Sequence, residues 1–172
     1  MSDRRPDFEL RRLSPEAIDE AHEKAHHYRL LNEPAQAESI CLDILAVDPD
    51  HQGALATLLL ALTDQFTYRL AAAFREAMEV VPELESEYAR NYYEGIVWER
   101  HAKARHKRGG PGAGHEAYDG LRRALDLYAR AIELRPEGND EAILRWNTCV
   151  RILDRDPQLR PAPRETFQPL LE

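Results

Sequence analysis

The chain is poor in several things, and each shortage closes off a class of protein. Only 8 of its 172 residues are glycine, and 43% are hydrophobic, so it is a folded chain and not a mainly disordered one. Cysteine is nearly absent. Cys41 and Cys149 are far apart, sit in helical patterns and make no metal-type spacing, so they are expected to be reduced, packed thiols. Positive charge is short, with 23 Lys and Arg against 31 Asp and Glu, and a net charge of −8 argues against a general nucleic-acid binder. Lysine occurs three times and arginine twenty, which fits the codon bias of a GC-rich bacterial genome more than any chemistry. Long apolar runs are missing as well. The greasiest stretch, Ala54–Leu62, falls far short of the roughly 20 residues needed to span a bilayer. Met1–Asp7 is charged and has no apolar core of a signal peptide, so a cytoplasmic location is expected, with no membrane partner. The length suits one domain with a continuous core.

What the chain does have is helical periodicity stopped by proline. In Leu70–Pro82, Leu70, Phe74 and Ala77 form an apolar stripe ahead of Pro82. The same steps of 4, 3 and 5 residues occur at Ala37, Cys41, Ile44 and Pro49, and again at Ala124, Tyr128, Ala131 and Pro136. Each copy adds an apolar pair before its proline: Leu45/Val47, Met78/Val80 and Ile132/Leu134. Residues 1–13 read as a flexible arm. Ser14-Pro15-Glu16 starts a first helix running to about Leu31. A second is expected over Pro34–Val47, and a third, capped by Asp50, runs to about Thr63 and is apolar on nearly every side. The opening stretch is the fourth, and a fifth begins near Leu84. The glycine cluster at 109–114, preceded by Lys103, Arg105, Lys107 and Arg108, predicts a basic loop over 102–115. Helix six resumes near His115, helix seven follows Gly138-Asn139-Asp140 to about Leu153, and prolines extend the tail, 156–172.

The triplicated small-x3-aromatic-x2-small-x4-Pro frame resembles the second helix of the tetratricopeptide repeat, a unit of about 34 residues. First-helix matches are Ala25 and Tyr28, and Gly95 and Trp98; the middle repeat departs, with Leu58 and Ala61 there. Pro49 and Pro82 are 33 residues apart, Pro82 and Pro136 are 54, so the third repeat holds about 20 additional residues. The resemblance covers roughly 18–153. It implies an all-α fold of antiparallel helix pairs stacked in a right-handed superhelix (α-solenoid), with repeats at about 18–50, 51–84 and 85–138 and a capping helix at 139–154. It also implies a concave groove lined by the first helices. The groove positions are Asp19, His22, His26, Arg29 and Leu30; Gln52, Leu55, Leu59, Leu62 and Thr63; and Ala89, Tyr92, Ile96, Glu99 and Arg100.

The expected function is a non-catalytic adaptor, scaffold or small chaperone. A peptide or helix would bury apolar side chains on Leu55, Leu59, Leu62, Tyr92 and Ile96, with Arg29, Glu99 and Arg100 setting polarity at the rim. The occupant could be a protein partner, a second copy in a homodimer, or the chain's own tail through Phe167, Leu170 and Leu171. The alternative to occupancy is that curvature closes the groove and makes these five residues core. The family's Lys/Asn clamp for a terminal carboxylate is absent, with His22, His26 and Ala56 at those positions.

Two rival chemistries are written in the sequence. His22-Glu23-Lys24-Ala25-His26 matches the HExxH zinc-hydrolase pattern, with Glu33, Glu38 or Asp43 as candidate third ligands. Solvated groove histidines on a repeat helix account for the same residues, so no cofactor is expected. Lys103, Arg105, Lys107 and Arg108 beside glycines could contact RNA, phosphate or an acidic protein. No strand precedes them and no Gly-Lys-Ser/Thr follows, which excludes a P-loop.

Overall fold

A computed structural model describes residues 8–163; the tail cluster Phe167, Leu170 and Leu171 lies outside them. Among the described residues the chain is all-α, with seven helices and no strand: α1 Ile18–Leu30, α2 Pro34–Leu45, α3 Gln52–Asp64, α4 Phe66–Val80, α5 Glu87–Arg108, α6 Ala113–Leu134 and α7 Glu141–Arg155. No helix among them is long and apolar enough to cross a membrane.

The ends of the helices follow local chemistry, and several differ from the sequence reading. Ser14 is extended but makes no side-chain cap, and Pro15 opens a single 3-10 turn before α1. Asn32, at φ 60°, takes the left-handed turn that separates α1 from α2. The cap of α3 is His51, not Asp50: its Nδ1 accepts from the Ala54 amide at 2.9 Å. Ser86 caps α5 in the same way through Ala89, three residues later than expected. Arg69 breaks helical geometry (φ −133°, ψ 43°) near the start of α4, so this element bends just where the apolar stripe begins.

The largest correction concerns 102–115. It is not a loop but the paired ends of two 22-residue helices, joined by residues 109–112 alone. Nothing from Ala102 to Arg108 breaks a helix, and cations in a last turn favour its negative end. Gly109 stops α5 at φ 69°, and Arg105 caps the turn by donating to the Gly109 carbonyl. The additional residues of the third unit therefore lengthen α5 and α6 against each other.

Each helix packs on its neighbours in the chain, α1 also touches α3, and α3 touches α5. The repeated frame is what the helices bury. Ala37, Cys41, Ile44, Leu70, Ala77, Ala124, Tyr128 and Ala131 are all in the core, and Phe74 is half-buried. Two apolar clusters abut. One joins α1 to α4 and reaches Val97, and the other joins α5 to α7, with Leu159 of the following segment tucked in. That segment is fastened by His106 Nε2 to Asp156 at 2.7 Å and by His115 Nδ1 to the Arg160 carbonyl at 2.8 Å. Both cysteines are buried and free.

The α5–α6 contact depends on glycine. A Cβ on Gly95 would stand 2.5 Å from Cε1 of Tyr128, a ring that is fully buried and has nowhere to go. Gly95→Ala gains about 1 kcal/mol of helix propensity but overpacks the seam at a cost of about 1–3 kcal/mol. The expected result is a less stable protein in urea denaturation; a raised midpoint would contradict this packing.

Candidate partner-binding face

The helices α1, α3 and α5 meet along one side of the molecule, and polar side chains tie them there. At one end, His22 of α1 lies over Gly53 of α3, where a Cβ would come within 2.6 Å of its ring. Its Nε2 is 3.0 Å from Thr57 Oγ1, and His26 Nε2 is 3.3 Å from the same hydroxyl. His51 completes a cluster of three imidazoles, with ring centroids 4.6 Å (His22–His26) and 5.2 Å (His22–His51) apart. Burial and then the neighbouring His26 lower the pKa of His22.

At the other end, Asp64 at the close of α3 receives Arg29 Nε of α1 at 2.8 Å and Arg100 Nη1 of α5 at 2.5 Å. Arg100 also donates to Thr63 Oγ1, whose own proton goes to the Leu60 carbonyl. One carboxylate thus joins three helices. The two arginines assigned to the rim are present there, but each is already paired with Asp64.

Farther along α5, Glu99 is fully buried. Tyr128 of α6 donates to its Oε2 at 2.7 Å, while Lys103 (3.1 Å) and Arg145 of α7 (3.4 Å) approach Oε1. Burial and the adjacent carboxylate raise the Tyr128 phenol far above its ordinary value and push the Cys149 thiol up to about 12. Both stay protonated. Glu99 is therefore an internal joint of α5, α6 and α7 and not a rim charge.

The apolar groove residues meet the same fate. Leu55, Leu59, Leu62, Tyr92 and Ile96 are each no more than 8% exposed, the first three in one cluster and the last two in the other. They lie in the two apolar clusters that neighbouring helices close, so they form core and not a bare docking floor. Outside this core lie His26, which is exposed, the Arg29–Asp64–Arg100 bridge, whose side chains are 19–23% exposed, and Leu30 at the end of α1, which is 86% exposed.

The two rival constellations are not brought together as sites. Glu23 is exposed, Glu38 is held by Arg69 and Gln65, and His22 and His26 share Thr57. Among the described residues no group of three or more His, Cys, Asp or Glu is arranged to hold a metal ion. Of the basic quartet, Lys103 is paired with Glu99 and Arg105 with Glu116. Lys107 and Arg108 alone line an open recess with Phe66, Thr67 and Ala104.

Sequence reasoning missed Asp64, Thr57 and Arg145, because a polar side chain that ties one helix to another gives no periodic signal. It also missed an open recess of about 300 Å³ formed by α2, α3 and α4. The alternation of glutamate with apolar residues in Glu76–Glu83 was its only trace. No family model, curated protein or solved structure matches this chain.

A His whose folded pKa is lowered binds its proton more readily when unfolded, so it favours the unfolded state as the solution is acidified. His22 therefore contributes stability that is full above about pH 6.5 and is lost as pH falls through its lower folded value. His22→Gln keeps a partner for Thr57 and should flatten the acid-side fall in unfolding free energy. An identical pH slope in wild type and variant would contradict the placement of this ring.

Proposed function

Taking the helical pairing together with the triplicated frame, we propose that the chain is a non-catalytic protein-binding module. It is a short tetratricopeptide-like stack of three helix pairs and a capping helix, working as an adaptor, scaffold or small chaperone in the cytoplasm. The observation that carries this reading is the equivalent burial of the frame residues in α2, α4 and α6. It is supported by the order of contacts, in which α1, α3 and α5 touch successively, as the first helices of stacked pairs must.

The mode of binding differs from that expected of a greasy groove. With the five apolar positions in the core, a partner protein or peptide is read by polar groups on a preformed, stiff face. His26, the Arg29–Asp64–Arg100 bridge and the exposed Leu30 are the contacts this side offers. Two guanidiniums share one carboxylate, so the bridge keeps a net positive charge and can take an acidic group from the partner without disrupting the fold.

The test is capture of partners from the native cell extract by tagged protein, comparing wild type with His26→Glu/Leu30→Asp. Both side chains are exposed, so the variant should fold. Tyr68→Asp, an exposed change on α4, serves as control. A discrete partner held by wild type and the control but reduced at least about tenfold in the double variant is the expected result. Equal retention by all three proteins would overturn this face as the binding surface.

A further inference from the structure

A different surface, independent of what the α1–α3–α5 face binds, carries a further assignment. The recess between α2 and α4 has an apolar floor that includes Leu42, which is half-exposed, and Val80. Its rim holds four glutamates, of which Glu38 and Glu76 are shared with Arg69. Among the described residues Glu79 and Glu83 have no ion-pair partner. Four carboxylates against one guanidinium leave an apolar hole inside a strongly negative ring, which suits an apolar side chain flanked by cations.

The chain contains such a segment. Phe8 and Leu10 are 88% and 95% exposed, and Arg11 and Arg12 follow directly. Residues 8–14 form no helix or strand, and in an extended segment Phe8 and Leu10 fall on one side. Two large apolar side chains left bare beside two arginines complement the recess in both hydrophobicity and charge. In the monomer this arm does not occupy its own recess, which is lined by residues of α2, α3, α4 and the turn after it.

We propose that Phe8–Arg12 of one copy docks in the α2–α4 recess of a second copy, and that the exchange is reciprocal. Phe8 and Leu10 cover Leu42 and Val80, while Arg12, on the same side of the extended arm, meets Glu79 and Glu83. Arg11, on the other side with Glu9, offsets that carboxylate and keeps the arm net positive. A single five-residue arm is small beside the roughly 1,200 Å² of a stable interface. Reciprocal exchange supplies two arms, and two-fold symmetry closes the assembly at a dimer.

Sedimentation equilibrium of the full chain tests this. Wild type should show a dimer that weakens with salt. Phe8→Asp/Leu10→Asp and, separately, Leu42→Glu should each weaken dimerisation at least about tenfold, with unchanged circular dichroism and melting temperature for the arm variant. Arg11→Glu/Arg12→Glu should also dissociate it, and adding Glu79→Arg/Glu83→Arg to the same chain should restore the dimer. A monomer at every concentration, as an arm folding onto its own recess would give, overturns the proposal. So does a dimer indifferent to the arm and recess variants, or failure of the reversed charges to restore association.

Discussion

The fold of the second half rests on one buried charge. Taking the Glu99 carboxylate out of water costs several kcal/mol, and an apolar residue would avoid that cost. The carboxylate is tolerated because α6 gives it a phenol, α7 a guanidinium, and its own helix an ammonium one turn on. Each donor comes from a different place in the chain. The charge can be satisfied only when all three helices are in register, so the cost of burial becomes a condition on assembly. Gly95 and Glu99, one turn apart on α5, hold the two ends of the same Tyr128 side chain, the ring by close approach and the hydroxyl by hydrogen bond.

The first half is organised differently. Between α1, α3 and α4 the core is Leu, Ala and Phe, and the polar ties run from the edge inward to the buried Thr57 and Gln65. Asp64 collects arginines from α1 and α5, and Thr57 collects two imidazoles from α1. Arg69 is clamped by Glu38 of α2 and Glu76 of α4 where α4 bends. These partly buried pairs contribute modestly to stability, but they fix the separation of the helices. That fixed separation seals Leu55 and Leu59 in the core, while Leu62, itself buried, lines the recess between α2 and α4.

The helices and their packing faces were legible in the sequence because both obey a period. The nine stripe residues of the repeated frame, from Ala37 to Ala131, are buried or half-buried, and each proline stop, itself exposed, lies within a few residues of a helix end. The site was far less legible. The burial of Leu59 and Ile96 depends on how closely α3 approaches α1 and α5, and a distance between helices has no periodic signature. The glycine cluster misled for a related reason: it marks only the four-residue connection, while the cations before it extend α5. Glu99 looked like a rim charge because nothing local announces that Tyr128 and Arg145 converge on it.

If the protein is a stack in which units contact only their neighbours, damage at one joint stays local. Amide hydrogen exchange resolved along the chain, comparing wild type with Glu99→Gln, measures this most directly. The account predicts that protection falls in α6 and α7 and in the middle of α5, while α1, α2 and α3 keep theirs. Loss of protection spread evenly over all seven helices, or no loss around Glu99, would contradict it.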